Sequence, residues 1–193
     1  MKIFLNPGHA PGGYPDPGAY NRTYCLKEAV LVKEIGELVE QYLRKTGCET
    51  YLLQSDNLRN NPLDDDLSQP CIVTEANDWL ADLAISIHLN AFNSQVHGTE
   101  CVCYKRKTAA DVLAQCIQKR LVKALGTVDR GVKYEEDKEK DFRLSFCMQT
   151  YMPAVIVEPG FLDNDDEAKL IVKNIDTIAK AIACGVTDFL EEE

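Results

Sequence analysis

Residues 83–88 read LAISIH, an apolar run that ends on a histidine. Two similar runs stand elsewhere in the chain, KIFLN at residues 2–6 and AVIVE at residues 154–158. Long segments of helical periodicity separate them, and apolar runs alternating with helical patterns mark an α/β domain. From about Thr23 to Arg44, the residues Leu31, Ile35, Leu38 and Tyr42 fall on one helical stripe, which Gly47 terminates. A second helix is predicted to begin at Thr108, with Leu113, Ile117, Leu121 and Leu125 facing inward. A last helix or helix pair covers about Asn164 to Leu190, burying Ile171, Ile175, Ile178, Ile182, Val186 and Phe189.

Shorter elements fill the gaps. Strands are predicted at 49–53, 98–104 and 142–146, and a short helix at about 71–80. Residues 126–140 are charged and poorly periodic and read as surface loop, while 54–69 read as a polar loop. The DDD run within it, at 64–66, lacks the glycine and distal glutamate of a calcium loop and reads as a solvated turn. Residues 1–193 are therefore expected to form a single α/β domain, a twisted, mostly parallel mixed sheet flanked by helices on both faces.

Composition narrows the function. The chain has 193 residues, with 45% hydrophobic and 27% charged side chains and a formal charge of −10. Such a chain buries roughly 70% of its unfolded surface and needs no disulfides to fold. Its acidic excess argues against nucleic-acid binding and against charge-driven adhesion to anionic surfaces. No apolar stretch approaches the roughly 18 residues of a membrane span. MKIFLNPGHA has no apolar core or cleavage site of a signal peptide, so synthesis in the cytoplasm is expected. Eight scattered cysteines without a CxxC pair read as reduced thiols, with Cys101 and Cys103 as core residues on one strand face.

Four polar residues stand where the pattern calls for apolar ones, and such conflicts concentrate at functional sites. Glu28 falls within about 20° of Ile35 and about 60° of Leu31 around the first long helix, which puts it on the buried stripe. Dipole stabilisation at a helix N-terminus explains it as well as metal ligation does. His9 follows the first strand, His88 ends LAISIH and Glu158 ends AVIVE. All three mark carboxyl ends of strands, where open α/β sheets place their ligand crevice. Two imidazoles and a carboxylate make an open catalytic zinc site. His9, Glu28 and His88 supply that set, and Glu158 is then available as general acid and base. His97, in a polar loop, is expected at the surface. Asn90, two residues past His88, is placed either in the cleft or in an ordinary turn.

With these residues in place, the sequence resembles the zinc-dependent N-acetylmuramoyl-L-alanine amidases of bacterial autolysins and phage endolysins. IFLNPGHAPGGYPDPGA looks like that family's first strand and histidine loop, and LKEAVLVKEIGELVEQYL like the helix that opens on a ligand glutamate. EANDWLADLAISIHLNA and HGTECVCY are similar to the second histidine segment and the strand after it. MPAVIVEPGFLDNDDEAKL is similar to the segment carrying the catalytic glutamate. The loop between His9 and Glu28 carries extra Pro and Tyr, and 54–69 lacks the arginine-led pattern expected after the second strand.

The resemblance implies one Zn²⁺ per chain held by His9, Glu28 and His88. It also implies cleavage of the amide between the muramoyl lactyl group and L-alanine of peptidoglycan or muropeptides, with Glu158 moving the proton. A zinc peptidase or carboxypeptidase cutting within the stem peptide, or a non-catalytic peptidoglycan-binding module, are the alternatives. Family motifs occupy nearly the whole chain, so no separate wall-binding domain is expected. A monomer that reaches the wall after release or lysis is the expectation for assembly and location.

Overall fold

The computed structural model describes residues 1–58, 69–139 and 144–192. In chain order the elements are β1 (Lys2–Pro7), β2 (Tyr20–Asn21), β3 (Leu26–Lys27), α1 (Glu28–Lys45), β4 (Glu49–Leu52), α2 (Ile72–Asp78) and β5 (Leu83–Ile87). Then follow β6 (Thr99–Cys103), α3 (Ala109–Leu125), β7 (Asp129–Tyr134), α4 (Ser145–Gln149), β8 (Ala154–Glu158), α5 (Asp165–Lys173) and α6 (Ile175–Glu192).

Six strands form one mixed sheet in the order β4-β1-β5-β8-β6-β7. Every neighbouring pair is parallel except β6 with β8. The central strands are largely apolar because both of their faces are covered, with Asn6 and Ser86 as buried polar exceptions. Ile3, Leu5, Ile85, Ile87, Val155 and Val157 join the core shared with α1, α3 and α6. Phe4, Ala84, Ala154 and Ile156, at the alternate positions, join the smaller core under α2 and α4. Cys101 and Cys103 are buried on the first of these faces, and all eight cysteines are unpaired. No helix among the described residues is long and apolar enough to cross a membrane.

Local differences from the sequence expectations have physical causes. Helix α1 begins at Glu28 rather than near Thr23, because Leu26–Lys27 pairs with Tyr20–Asn21 in a two-stranded ribbon. Its buried stripe runs through Leu31, Val32, Ile35, Val39 and Leu43, with Leu38 and Tyr42 on the flank. Asp129–Tyr134, expected as loop, is the edge strand β7. It pairs only with β6, is mostly half-buried and contains Gly131 at φ 73°, so it carries no apolar alternation. Ser145–Gln149 is helical, which corrects the strand expected at 142–146 insofar as those residues are described. The DDD run at 64–66 lies outside the described residues. The closing helix is a pair divided at Asn174, and α5 is capped by Asn164, whose side chain accepts from Asp166 N and Glu167 N.

Helices α3 and α6 approach closely at Gly185. A Cβ there would stand 2.5 Å from Ile117 Cα and 2.8 Å from its backbone nitrogen. Helix propensity alone favours alanine by about 1 kcal/mol, but the clash is with backbone and requires the helices to separate. Gly185→Ala is therefore expected to be destabilising by about 1–2 kcal/mol net, which lowers the thermal midpoint by roughly 2–8 °C in a protein of this size. An unchanged or higher midpoint in a melt of the variant contradicts this packing.

Candidate metal centre and cleft

Parallel register brings the candidate residues together. Asn6 lies opposite Ser86 and Ser86 opposite Ile156, so β1, β5 and β8 deliver their carboxyl ends to one edge of the sheet. His9, His88 and Glu158 stand at those ends. Glu28 reaches the same place from the first turn of α1. His9 Nε2 lies 2.9 Å from Glu28 Oε1, His88 Nδ1 lies 3.0 Å from the same oxygen, and the two ring nitrogens are 3.2 Å apart. Among the described residues, this is the only group of three or more histidine, cysteine or acidic side chains arranged to hold a metal ion.

The backbone around the cluster is shaped to admit it. His9 has φ 67°, an uncommon left-handed conformation for a residue other than glycine. Gly8 donates its N–H to Ile87 O at 2.9 Å, and a Cβ on it would stand 2.2 Å from His88 Cε1. Gly18, at φ 67°, lies so close that a Cβ would meet His9 Cδ2 at 2.5 Å and Glu28 Oε2 at 2.6 Å. Both glycines are room left for the side chains of the cluster.

Electrostatics points to a cation. Glu28 is 3% exposed, yet its carboxylate is fully engaged. Oε1 accepts from Leu89 N at 2.8 Å as well as facing both imidazoles, and Oε2 accepts from Ala19 N at 2.7 Å. Burial by itself raises the Glu28 pKa, but hydrogen bonds and charge from His88 and His9 prevail and hold it at about 2. Burial likewise opposes the charge on His9, and Glu28 and then Asp16 overcome it, raising its pKa to about 9. Asp16 Oδ2 sits 2.7 Å from His9 Nδ1, and its other oxygen accepts from Gly18 N at 2.9 Å. With Nδ1 turned to this carboxylate, His9 directs Nε2 inward to Glu28 and His88, the arrangement found behind metal-bound histidines.

The donor set fits a metal. A tetrahedral ion bonded at about 2.0–2.1 Å spaces its ligand atoms about 3.3 Å apart. The three atoms here already stand within a few tenths of an ångström of that spacing, and two neutral imidazoles with one carboxylate suit zinc.

Glu158 faces the same cleft, a cavity of about 320 Å³. Its Oε2 is buried without a hydrogen-bond partner among the described residues. Burial first, then the charges of Glu28 and Glu100, push its pKa well above the ordinary carboxylate range. Glu100, its partner across the β6–β8 ladder, is itself engaged by Arg130 Nε at 2.7 Å and Asn90 Nδ2 at 2.8 Å. Asn90 therefore steadies the neighbour of Glu158. His97 is exposed, with Nδ1 facing Gln95 O, and takes no part in the cluster. Asp16, Gly8 and Gly18 escaped the sequence reading. Their one signal is that the Pro- and Gly-rich segment after His9 holds an acid.

The sequence profile described as N-acetylmuramoyl-L-alanine amidase matches residues 3–188. The germination-specific N-acetylmuramoyl-L-alanine amidase of Bacillus subtilis is 30% identical over 204 residues, covering 99% of this chain and 80% of that protein. An uncharacterized cell wall amidase of Bacillus anthracis is 30% identical over 98% of this chain, which spans 35% of that relative's length. Among solved structures, the N-acetylmuramoyl-L-alanine amidase of Clostridium difficile superposes with a TM-score of 0.79 at 27% identity, covering 100% of this chain and 97% of that one.

Two substitutions test the site's construction without touching a ligand. Asp16→Asn is expected to weaken metal uptake by the cluster about 10- to 100-fold, the usual effect of losing a carboxylate hydrogen-bonded to a metal-binding imidazole. Gly8→Ala should displace the His88 ring and abolish stoichiometric uptake. Competition against a chromophoric chelator reads both, with circular dichroism confirming the fold. Wild-type affinity in both variants contradicts the geometry.

Proposed function

This chain belongs to the N-acetylmuramoyl-L-alanine amidase family, and from that premise we propose that it hydrolyses the amide between the lactyl carbonyl of N-acetylmuramic acid and the L-alanine of the peptidoglycan stem peptide. In this reading His9, Glu28 and His88 hold one zinc ion, and Glu158 is the catalytic acid and base. The observation that carries it is the convergence of a His-Glu-His donor set with a buried, unpartnered carboxylate oxygen in one cleft. The family's activity favours the muramoyl amide over a bond within the stem peptide.

When bound, the ion supplies a Lewis acid for the scissile carbonyl and lowers the pKa of a water molecule towards about 7. The chain's own residues do the rest. His9 and His88 bind through Nε2 and Nδ1, and Asp16 fixes the His9 tautomer through Nδ1–H. Glu28, tied to Ala19 and Leu89, keeps its carboxylate from swinging out of the site. Glu158 takes a proton from the attacking water and delivers it to the departing alanine nitrogen, which leaves as an amine. A carboxyl whose surroundings favour the protonated form is suited to holding that proton between the two transfers.

Glu158→Gln is expected to retain one zinc per chain while losing about 10²- to 10⁴-fold in turnover, the usual contribution of a positioned acid or base. Metal analysis beside release of stem peptides from purified sacculi checks both halves. Near wild-type release removes Glu158 from the role assigned to it. Treatment with 1,10-phenanthroline should abolish release, and added Zn²⁺ restore it. Mass spectra should show free muramoyl lactyl carboxyl groups; truncated peptides still attached to glycan would indicate a peptidase.

A further inference from the structure

Three neighbouring strands supply part of the cleft lining, Asn6 on β1, Ser86 on β5 and Ile156 on β8. Asn6 and Ser86 are each 2% exposed, and their hydrogen bonds can be counted. The side-chain amide of Asn6 donates to Leu53 O at 3.0 Å and Pro7 O at 3.2 Å. The Ser86 hydroxyl donates to Asn6 Oδ1 at 2.8 Å. Ser55, also in the lining, is 1% exposed and gives its hydroxyl to Pro70 O at 2.7 Å. Every donor on these three side chains is thus committed to the protein. Ser55 Oγ already accepts from Asn57 N at 3.0 Å, so what the three have left to offer a ligand is their remaining oxygen lone pairs.

Charge in the cleft has the same sense. Asp16 and Asp56 line it together with Glu158, and no lysine or arginine is among its described lining residues. A divalent cation at the triad offsets only two of the three carboxylates of Asp16, Glu28 and Asp56. Next to such a lining a carboxylate of the substrate meets repulsion and acceptors that cannot bond to it, whereas a carboxamide brings two N–H donors.

We propose that this cleft selects a hydrogen-bond-donating, uncharged group beside the scissile amide, so that stem peptides whose second residue carries an α-carboxamide are cut in preference to those with a free α-carboxylate. The discrimination falls on the peptide because the lactyl carboxyl of the glycan is already consumed in the amide. It rests on the amidase reading above. Asn6, Ser86 and Asp56 are then specificity residues, acting through acceptors and charge rather than through the metal.

The test compares two disaccharide muropeptides, identical except for D-isoglutamine or D-glutamate at the second position, as substrates of the zinc-loaded protein. The expected result is a kcat/KM at least tenfold higher for the isoglutamine form, carried mainly by KM. Raising NaCl from about 50 to about 500 mM should narrow the ratio by lowering KM for the acid, since screening weakens the repulsion. Asp56→Asn should narrow it in the same direction, and the salt arm tests the same charge without any substitution. Equal cleavage of the two, or preference for the acid, overturns the inference and leaves the amidase reading standing. Failure to cut either removes the amidase reading itself and the inference with it.

Discussion

Burial of the Glu28 carboxylate is the constraint on which the active end of this molecule depends. An unpaired carboxylate at 3% exposure costs several kcal/mol. A helix N-terminus repays about 0.3–1 kcal/mol of that, too little on its own. The balance comes from two backbone N–H groups and two imidazoles, one of each from the loop after β1 and one of each from the end of β5. Ala19 ends the loop after β1, Leu89 and His88 leave β5, and His9 leaves β1. One buried acid therefore ties together three chain segments, the loop after β1, α1 and the end of β5, that sequence separates by up to 80 residues. The same ties place three donor atoms at the spacing a metal ion requires.

Sheet topology supplies the other half of the site. Parallel β1, β5 and β8 bring their carboxyl ends out side by side, where open α/β sheets bind ligands. Strand β6 runs the opposite way and so sets Glu100 directly across from Glu158. Arg130 and Asn90 occupy both oxygens of Glu100, and Arg130 stacks its guanidinium 4.9 Å from the Phe161 ring centroid. Glu158 is left with a buried oxygen that no described residue satisfies. Two carboxylates on one ladder thus have opposite fates, Glu100 bound into the structure and Glu158 kept for the cleft.

Much of this was legible in the sequence, for reasons that also explain what was not. LAISIH, KIFLN and AVIVE read correctly because strands buried on both faces are mostly apolar, and a charged or imidazole side chain at the end of such a run stands out against it. Glu28 stood out because its helical phase matched that of Ile35. The edge strand β7 was illegible, since a strand paired on one side and half open to solvent does not need an apolar pattern. Asp16, Asn6 and Ser86 were illegible for another reason: their roles depend on partners across the sheet or around a turn, and an isolated Asn, Ser or Asp at a strand end or in a Pro-rich loop is ordinary composition. Gly8 and Gly18 carry their meaning in what an added methyl would strike, which periodicity cannot reveal.

The central claim concerns specific atoms, so anomalous diffraction at the zinc absorption edge, from crystals of the zinc-loaded protein, tests it most directly. The predicted result is one strong peak per chain, about 2.0–2.1 Å from His9 Nε2, His88 Nδ1 and Glu28 Oε1. A peak held by other residues, or its absence in crystals of protein that remains fully active, would contradict it.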